Sequence, residues 1–163
     1  MRRALVVSFV IAAAAIAATS ADAFAPTKSQ YPFNNTVVVN DLCSFPVTIE
    51  QSATITEIDF LGQTGGLTHI VLHVKEQDTF NANGITLTGL PYTANEDVIF
   101  DSSGNIVRLV AEGILEDVPL PNGGVFFSAG RVDALAHPTE MVALIPDVGR
   151  SGDVSALCAA LTP

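Results

Sequence analysis

The chain contains three histidines, and two of them, His69 and His73, are four residues apart. On a helix that spacing would set both imidazoles on one face, where they could share a metal ion. On a strand, a rise of about 3.3 Å per residue separates the two Cα atoms by roughly 13 Å, too far for one ion. Around them Ile70, Leu72 and Val74 alternate with His69, Val71, His73 and Lys75, which is strand periodicity. The pair therefore reads as structural or solvent-facing, and neither a metal site nor a cofactor is expected. His137 precedes Pro138 in a turn-like stretch, and no Gly-x-Ser-x-Gly sequence is present to supply the nucleophile elbow of a hydrolase.

Carboxylates offer more. Glu50, Glu57, Asp59, Glu112, Glu116 and Asp133 lie in or beside stretches with strand character. One of them turned into an apolar interior would have a raised pKa and could serve as general acid or base. Taken one at a time, each is expected on a solvated acidic face, with Asp117 and Asp133 at the rim. Catalytic residues stay unassigned. Arg131 stands out because lysine and arginine together number seven. Buried, it would grip a ligand carboxylate; otherwise it pairs with Glu112 or Asp133, which is the preferred reading.

The only cysteines are Cys43 and Cys158. An even count in an exported chain favours a disulfide, and two cysteines allow one intrachain pairing. A bond closing so long a loop is worth roughly 5 kcal/mol in the chain-entropy account.

Export is expected from the first residues. Arg2 and Arg3 precede an apolar run from Leu5 to Ala18, broken by Ser8, and Ala21-Asp22-Ala23 ends it. These are the three parts of a signal peptide, residues 1–23. The run falls short of the ~20 apolar residues of a spanning helix, so no membrane span is expected after processing. No cysteine follows the cleavage site, which argues against a lipoprotein. The protein is thus expected outside the cell or in its envelope. Its net charge is −10 at pH 7, and one unit more negative without the leader, which carries Arg2, Arg3 and Asp22. Such a field repels phosphate backbones and anionic lipid, and no nucleic acid partner is expected.

The elements that must position these groups are strands. Residues 24–36 are polar, contain Pro26 and Pro32, and read as an extended N-terminal arm. Residues 37–163 read as a single β-barrel domain. Strand signals run through Val37–Val39 and from Val47 onward, where Val47, Ile49, Ala53 and Ile55 share a face; the phase shifts near Thr56, as at a bulge. Further strands are expected at Leu67–Glu76, Ile85–Thr88, Val98–Asp101, Ile106–Ala111, Ile114–Pro119, Val125–Ala134 and Met141–Ile145. The turns between them include Asn83-Gly84 and Pro121-Asn122-Gly123-Gly124. One short C-terminal helix is expected, capped by Asp153 and striped by Val154, Leu157, Cys158 and Leu161. The fold class is all-β: an antiparallel meander of about eight strands, with a closed barrel preferred to a sandwich because closure removes sheet edges.

Three stretches carry a resemblance: Cys43-Ser44-Phe45-Pro46-Val47, Pro119 to Val125 leading on to Gly130-Arg131, and Leu157-Cys158-Ala159-Ala160-Leu161. Together they resemble a group of uncharacterised secreted actinobacterial proteins that run from Cys-x-Phe-Pro to Cys-Ala-x-Leu. That resemblance implies a small exported β-barrel and supplies no chemistry. In architecture alone the expected barrel is similar to lipocalins and to allene oxide cyclase or dirigent-type barrels, and architecture does not determine activity.

Three functions follow. A carrier would hold a small apolar ligand in a pocket lined by Ile70, Leu72, Val74, Leu109 and Phe126, with Arg131 able to meet a polar end. A cyclase or isomerase would fold a flexible substrate against one buried carboxylate. A structural or interaction protein of the cell envelope would have a filled core and act through its surface. Strands apolar on both faces leave room for a homo-oligomer.

Overall fold

Eight antiparallel strands and one helix make up the regular structure of the computed structural model, which describes residues 25–62, 64–137 and 144–163. The signal peptide expected at 1–23 lies outside the described residues. So does most of the strand expected at Met141–Ile145, of which Leu144 and Ile145 are irregular.

The strands are β1 (Thr27–Val39), β2 (Val47–Leu61), β3 (Leu67–Ala82), β4 (Ile85–Thr88), β5 (Tyr92–Phe100), β6 (Ile106–Pro119), β7 (Val125–Asp133) and β8 (Val148–Arg150); the helix α1 is Val154–Ala160. They form one sheet in the order β1-β2-β3-β5-β6-β7-β8, with β4 paired to β3 beside β5. The all-β antiparallel fold expected from the sequence is present. The preferred closure is not: β1 pairs with β2 and β8 with β7, and no ladder among the described residues joins the two ends.

β1 begins within the stretch read as an arm and pairs with β2 along its whole length, from Thr27↔Asp59 to Val39↔Val47. The phase shift expected near Thr56 is absent. Register with β3 is continuous from Thr48 to Phe60 and shifts only at Phe60/Leu61. Alternation therefore persists, and what changes along β2 is the cargo of its inner face, where Glu57 and Asp59 follow Ala53 and Ile55.

Cross-strand partners share a face, so the register sorts the side chains. On the inner face two apolar clusters form. One joins Val47, Ile49, Phe80, Val118 and Phe126 to Leu157 and Leu161 of α1. The other joins Ala53, Ile70, Leu72, Val74 and Val98. The helix starts as its sequence dictates, with the Asp153 carboxylate accepting from the Ala156 N–H at 3.0 Å. The Cys43–Cys158 disulfide fastens it to the β1–β2 loop, spanning 115 residues with Cα atoms 5.6 Å apart. Thus α1 ties the β1–β2 loop to the cluster shared by β2, β3, β6 and β7 at one end of the open sheet. Among the described residues no helix is long and apolar enough to cross a membrane.

Candidate functional site

Between the two apolar clusters lies a polar seam. Along β3 the inward positions run Ile70, Leu72, Val74, then Glu76 and Asp78, then Phe80 and Ala82. Tyr92 of β5 is the cross-strand partner of Glu76. Glu116 joins from β6 through a bulge: Ile114 pairs with Ala129 and Glu116 with Ser128, so Leu115 is an extra residue. Both Leu115 and Glu116 are buried, as a bulge permits for neighbours that strict alternation would separate.

Asp78 and Glu116 are fully buried. The Tyr92 hydroxyl donates to Asp78 Oδ2 at 3.2 Å. From the sheet edge, Asn35 Nδ2 donates to Gln51 Oε1 at 3.2 Å, and Gln51 Nε2 donates to Glu76 Oε1 at 2.9 Å. No side chain donates to Asp78 Oδ1 or to either oxygen of Glu116. Nor is a cation available. Lys28, Lys75, Arg108, Arg131 and Arg150 all occupy positions of the opposite face, whereas Glu57, Asp59, Glu76, Asp78, Glu96 and Glu116 share the inner one.

A buried carboxylate without donors or counter-charge is unstable as an anion. Burial, then the neighbouring Asp78, pushes Glu116 up to about 11. Burial and Asp78 likewise raise Glu76 to about 8. Burial also lifts Asp78, Tyr92 and Glu96. At neutral pH the seam consequently retains protons, and a proton between Asp78 and Glu116 supplies the bond their oxygens lack. Chemically, it is a protonated-acid site in an apolar setting.

Glu116 was among the carboxylates singled out from sequence; Glu76, Asp78, Tyr92 and Glu96 were not. Glu57 and Asp59 are half-buried on the inner face, where Tyr31 donates to Glu57 Oε2 at 2.6 Å and Thr27 Oγ1 to Asp59 Oδ2 at 3.2 Å. Glu50 and Glu112 are exposed on the outer face. Asp117 and Asp133 are half-buried there. Arg131 sits half-exposed across from Glu112, Nε to Oε1 3.8 Å.

The remaining pocket candidates divide between the clusters. Ile70, Leu72 and Val74 are buried in the second, Leu109 packs against it, and Phe126 is in the first beside α1. The histidines each meet their own partner. His69 Nε2 lies 2.5 Å from Asp97 Oδ1, which Arg108 Nε approaches through Oδ2 at 3.1 Å, and Phe60 stacks on the imidazole. His73 Nδ1 lies 2.5 Å from Asn95 Oδ1, and His137 Nε2 2.6 Å from Asp147 Oδ1. Among the described residues no group of three or more His, Cys, Asp or Glu could hold a metal ion.

Two shallow concavities mark the surface around β1–β3. One, of about 300 Å³, is lined by Pro32, Asn34, Ser52, Lys75, Glu76 and Pro91 among others. The other, of about 480 Å³, is lined by such polar residues as Asn35, Thr36, Glu50, Gln51, Gln77 and Thr88. None of Ile70, Leu72, Val74, Leu109, Phe126 and Arg131 lines either.

No protein-family model, curated protein or solved structure matches the chain.

Proposed function

We propose that this is an exported, filled-core interaction protein of the cell envelope or its surroundings, which acts through the surface and edges of its open sheet. The observation that carries this reading is the packing of Ile70, Leu72, Val74 and Phe126. None is more than 8 % exposed, and each packs with other side chains in a cluster. A site for a small apolar ligand needs apolar wall left uncovered, and here those walls cover one another. A disulfide joining the two ends of the domain and the leader-like first residues support export.

Native mass spectrometry of the protein recovered from the oxidising compartment tests it. The expected species are polypeptide with its disulfide closed and no small-molecule adduct, and an apolar fluorescent probe should find no saturable site. A stoichiometric small molecule released on denaturation would replace this reading with a carrier.

One observation favours a second reading, acid–base catalysis. Glu76 belongs to the carboxyl seam yet is only half-buried, so the retained protons have a route to solvent through its carboxyl.

A further inference from the structure

We infer that β1 is the docking strand for a second copy of this chain, the two β1 strands pairing antiparallel about a two-fold axis at Phe33. The inference rests on the interaction-protein reading and names its partner.

The sheet has two ends of very different character. β1 offers 13 residues, in unbroken register with β2 on one side and with no strand on the other among the described residues. Long edges of this kind are templates for further pairing, because their outward N–H and C=O groups repeat at strand spacing. At the other end β8 has three residues, one of them Gly149 at a φ of 141°, too short and irregular to receive such a strand. Each chain therefore has one long edge. Two copies can satisfy it only by joining like to like, which closes a dimer instead of propagating a fibre.

Charge points the same way. The chain carries net −10, yet β1 contains no carboxylate. β2, β3, β5, β6 and β7 each contain at least one. Two copies approaching by the inner face bring acid against acid, and like charges directly opposite destabilise a strand pair. Through β1 they do not meet that barrier.

The side chains are also self-complementary. Tyr31, Phe33 and Val38 are 37 %, 39 % and 46 % exposed, so pairing at this edge would cover apolar surface. A register centred on Phe33 sets that ring against its own copy, Tyr31 against Asn35, and Lys28 against Val38, so the two lysines stay apart. Pro32 removes one backbone donor per copy, and by its usual placement on edge strands that gap falls on the open side; Gln30 and Asn34, two residues to either side, keep their outward donors.

Sedimentation equilibrium of the disulfide-bonded protein, at concentrations up to about 100 µM, tests the inference. A mass twice that of the chain is expected. Phe33→Lys should weaken association at least tenfold while leaving the circular dichroism of the monomer intact, whereas Val148→Lys on the other edge should have no effect. Gln30→Glu combined with Thr36→Lys should retain the dimer, because the register sets each new charge against its opposite. A monomer at every concentration, or a dimer indifferent to Phe33→Lys and Val38→Lys, would overturn the second-copy assignment. If such a monomer still carries no ligand, the interaction-protein reading stands and only the dimer falls. If it runs in a complex with another protein that Phe33→Lys dissolves, the edge belongs to a foreign strand and the second-copy assignment is wrong. A co-purifying small molecule would remove the underlying reading whatever the mass.

Discussion

The carboxyl of Glu116 faces that of Asp78 inside the sheet, and neither Asp78 Oδ1 nor either Glu116 oxygen meets a hydrogen-bond donor. The pair exists because a bulge at Leu115 turns Glu116 inward at the level where β3 brings Asp78 from the other side of the Gly89–Leu90 link, whose N–H groups donate to the Asp78 and Asp117 carbonyls. Two apolar clusters enclose it, and the cations among the described residues lie on the other face. Its protonation is thus fixed by the fold.

Stability should therefore fall as pH rises. Glu76 and Glu116 ordinarily titrate at 4.5 and are raised in the fold to about 8 and about 11. Both native values exceed the unfolded ones, so the native state holds protons that the unfolded chain releases. Their contribution is complete below about pH 4.5 and is lost as pH climbs through 8 toward 11. Asp101 and Asp147 work in the opposite sense: hydrogen bonds from Asn105, and from the Asp133 backbone and His137, hold them below 3.8, and their contribution is lost in stronger acid. Calorimetry from pH 3 to 10 should place the highest melting temperature near pH 4–5, with a steady decline above it. A level profile from pH 5 to 9 would contradict a proton-holding seam.

Glu116→Gln should flatten that slope without abolishing it, because Glu76 keeps its raised value. The amide keeps the shape of the side chain, carries no charge at any pH, and can donate to Asp78. Near pH 4.5 the variant and the parent should be about equally stable. At pH 9 the variant should be more stable by about 2 kcal/mol, the scale of forcing a charge into an unpaired buried site. Urea unfolding at the two pH values measures the difference. Equal loss at both would mean that Glu116 contributes through specific packing and not through its proton.

The fold was legible wherever apolar residues alternate on a half-buried strand, and illegible where they do not. β1 escaped notice before Val37 because both of its faces are exposed from Thr27 to Thr36, leaving no apolar rhythm in Thr-Lys-Ser-Gln; its conformation comes from pairing with β2. β3 was expected to stop at Glu76 because Glu-Gln-Asp carries no apolar residue, yet its register runs on to Ala82. Followed that far, the even positions that bury Ile70 and Val74 would also have placed Asp78 inside. Tyr92 and Glu96 hid in Tyr-Thr-Ala-Asn-Glu-Asp, where the inward residues are too mixed to show a period. Glu116 was recognised as a strand carboxylate, but its inward turn depends on a bulge, and Leu115 beside it claims the inner position under strict alternation. Whether the sheet closes depends on curvature summed over all strands, which a period of two does not encode.

Opening the Cys43–Cys158 bond should be the most damaging single change. It closes a loop of 115 residues, and in the chain-entropy account its loss costs up to about 5 kcal/mol. The effect should concentrate at α1, where Leu157 and Leu161 complete the cluster containing Phe126. Cys43→Ser with Cys158→Ser should lower the urea midpoint sharply, and amide exchange in Val154–Ala160 should rise before exchange in β2 and β3. An unchanged midpoint would show that packing alone fixes the helix.

Gly152→Ala should disturb the same junction from the opposite direction, by adding an atom. A Cβ at that position would lie 2.4 Å from Phe126 Cε2 and 2.5 Å from Cδ2. These are ring atoms of a side chain with no exposure, so the ring cannot swing into solvent. Either the segment leading into α1 lifts or Phe126 leaves its place between β7 and the helix. Overpacking of this kind costs roughly 1–3 kcal/mol, and the disulfide should keep the helix tethered so that the protein still folds. The expected result is a lower urea midpoint with the overall β circular dichroism retained. A variant as stable as the parent would mean that the entry to α1 yields freely, and that Phe126 is held by β6 and β7 without the helix pressing on it.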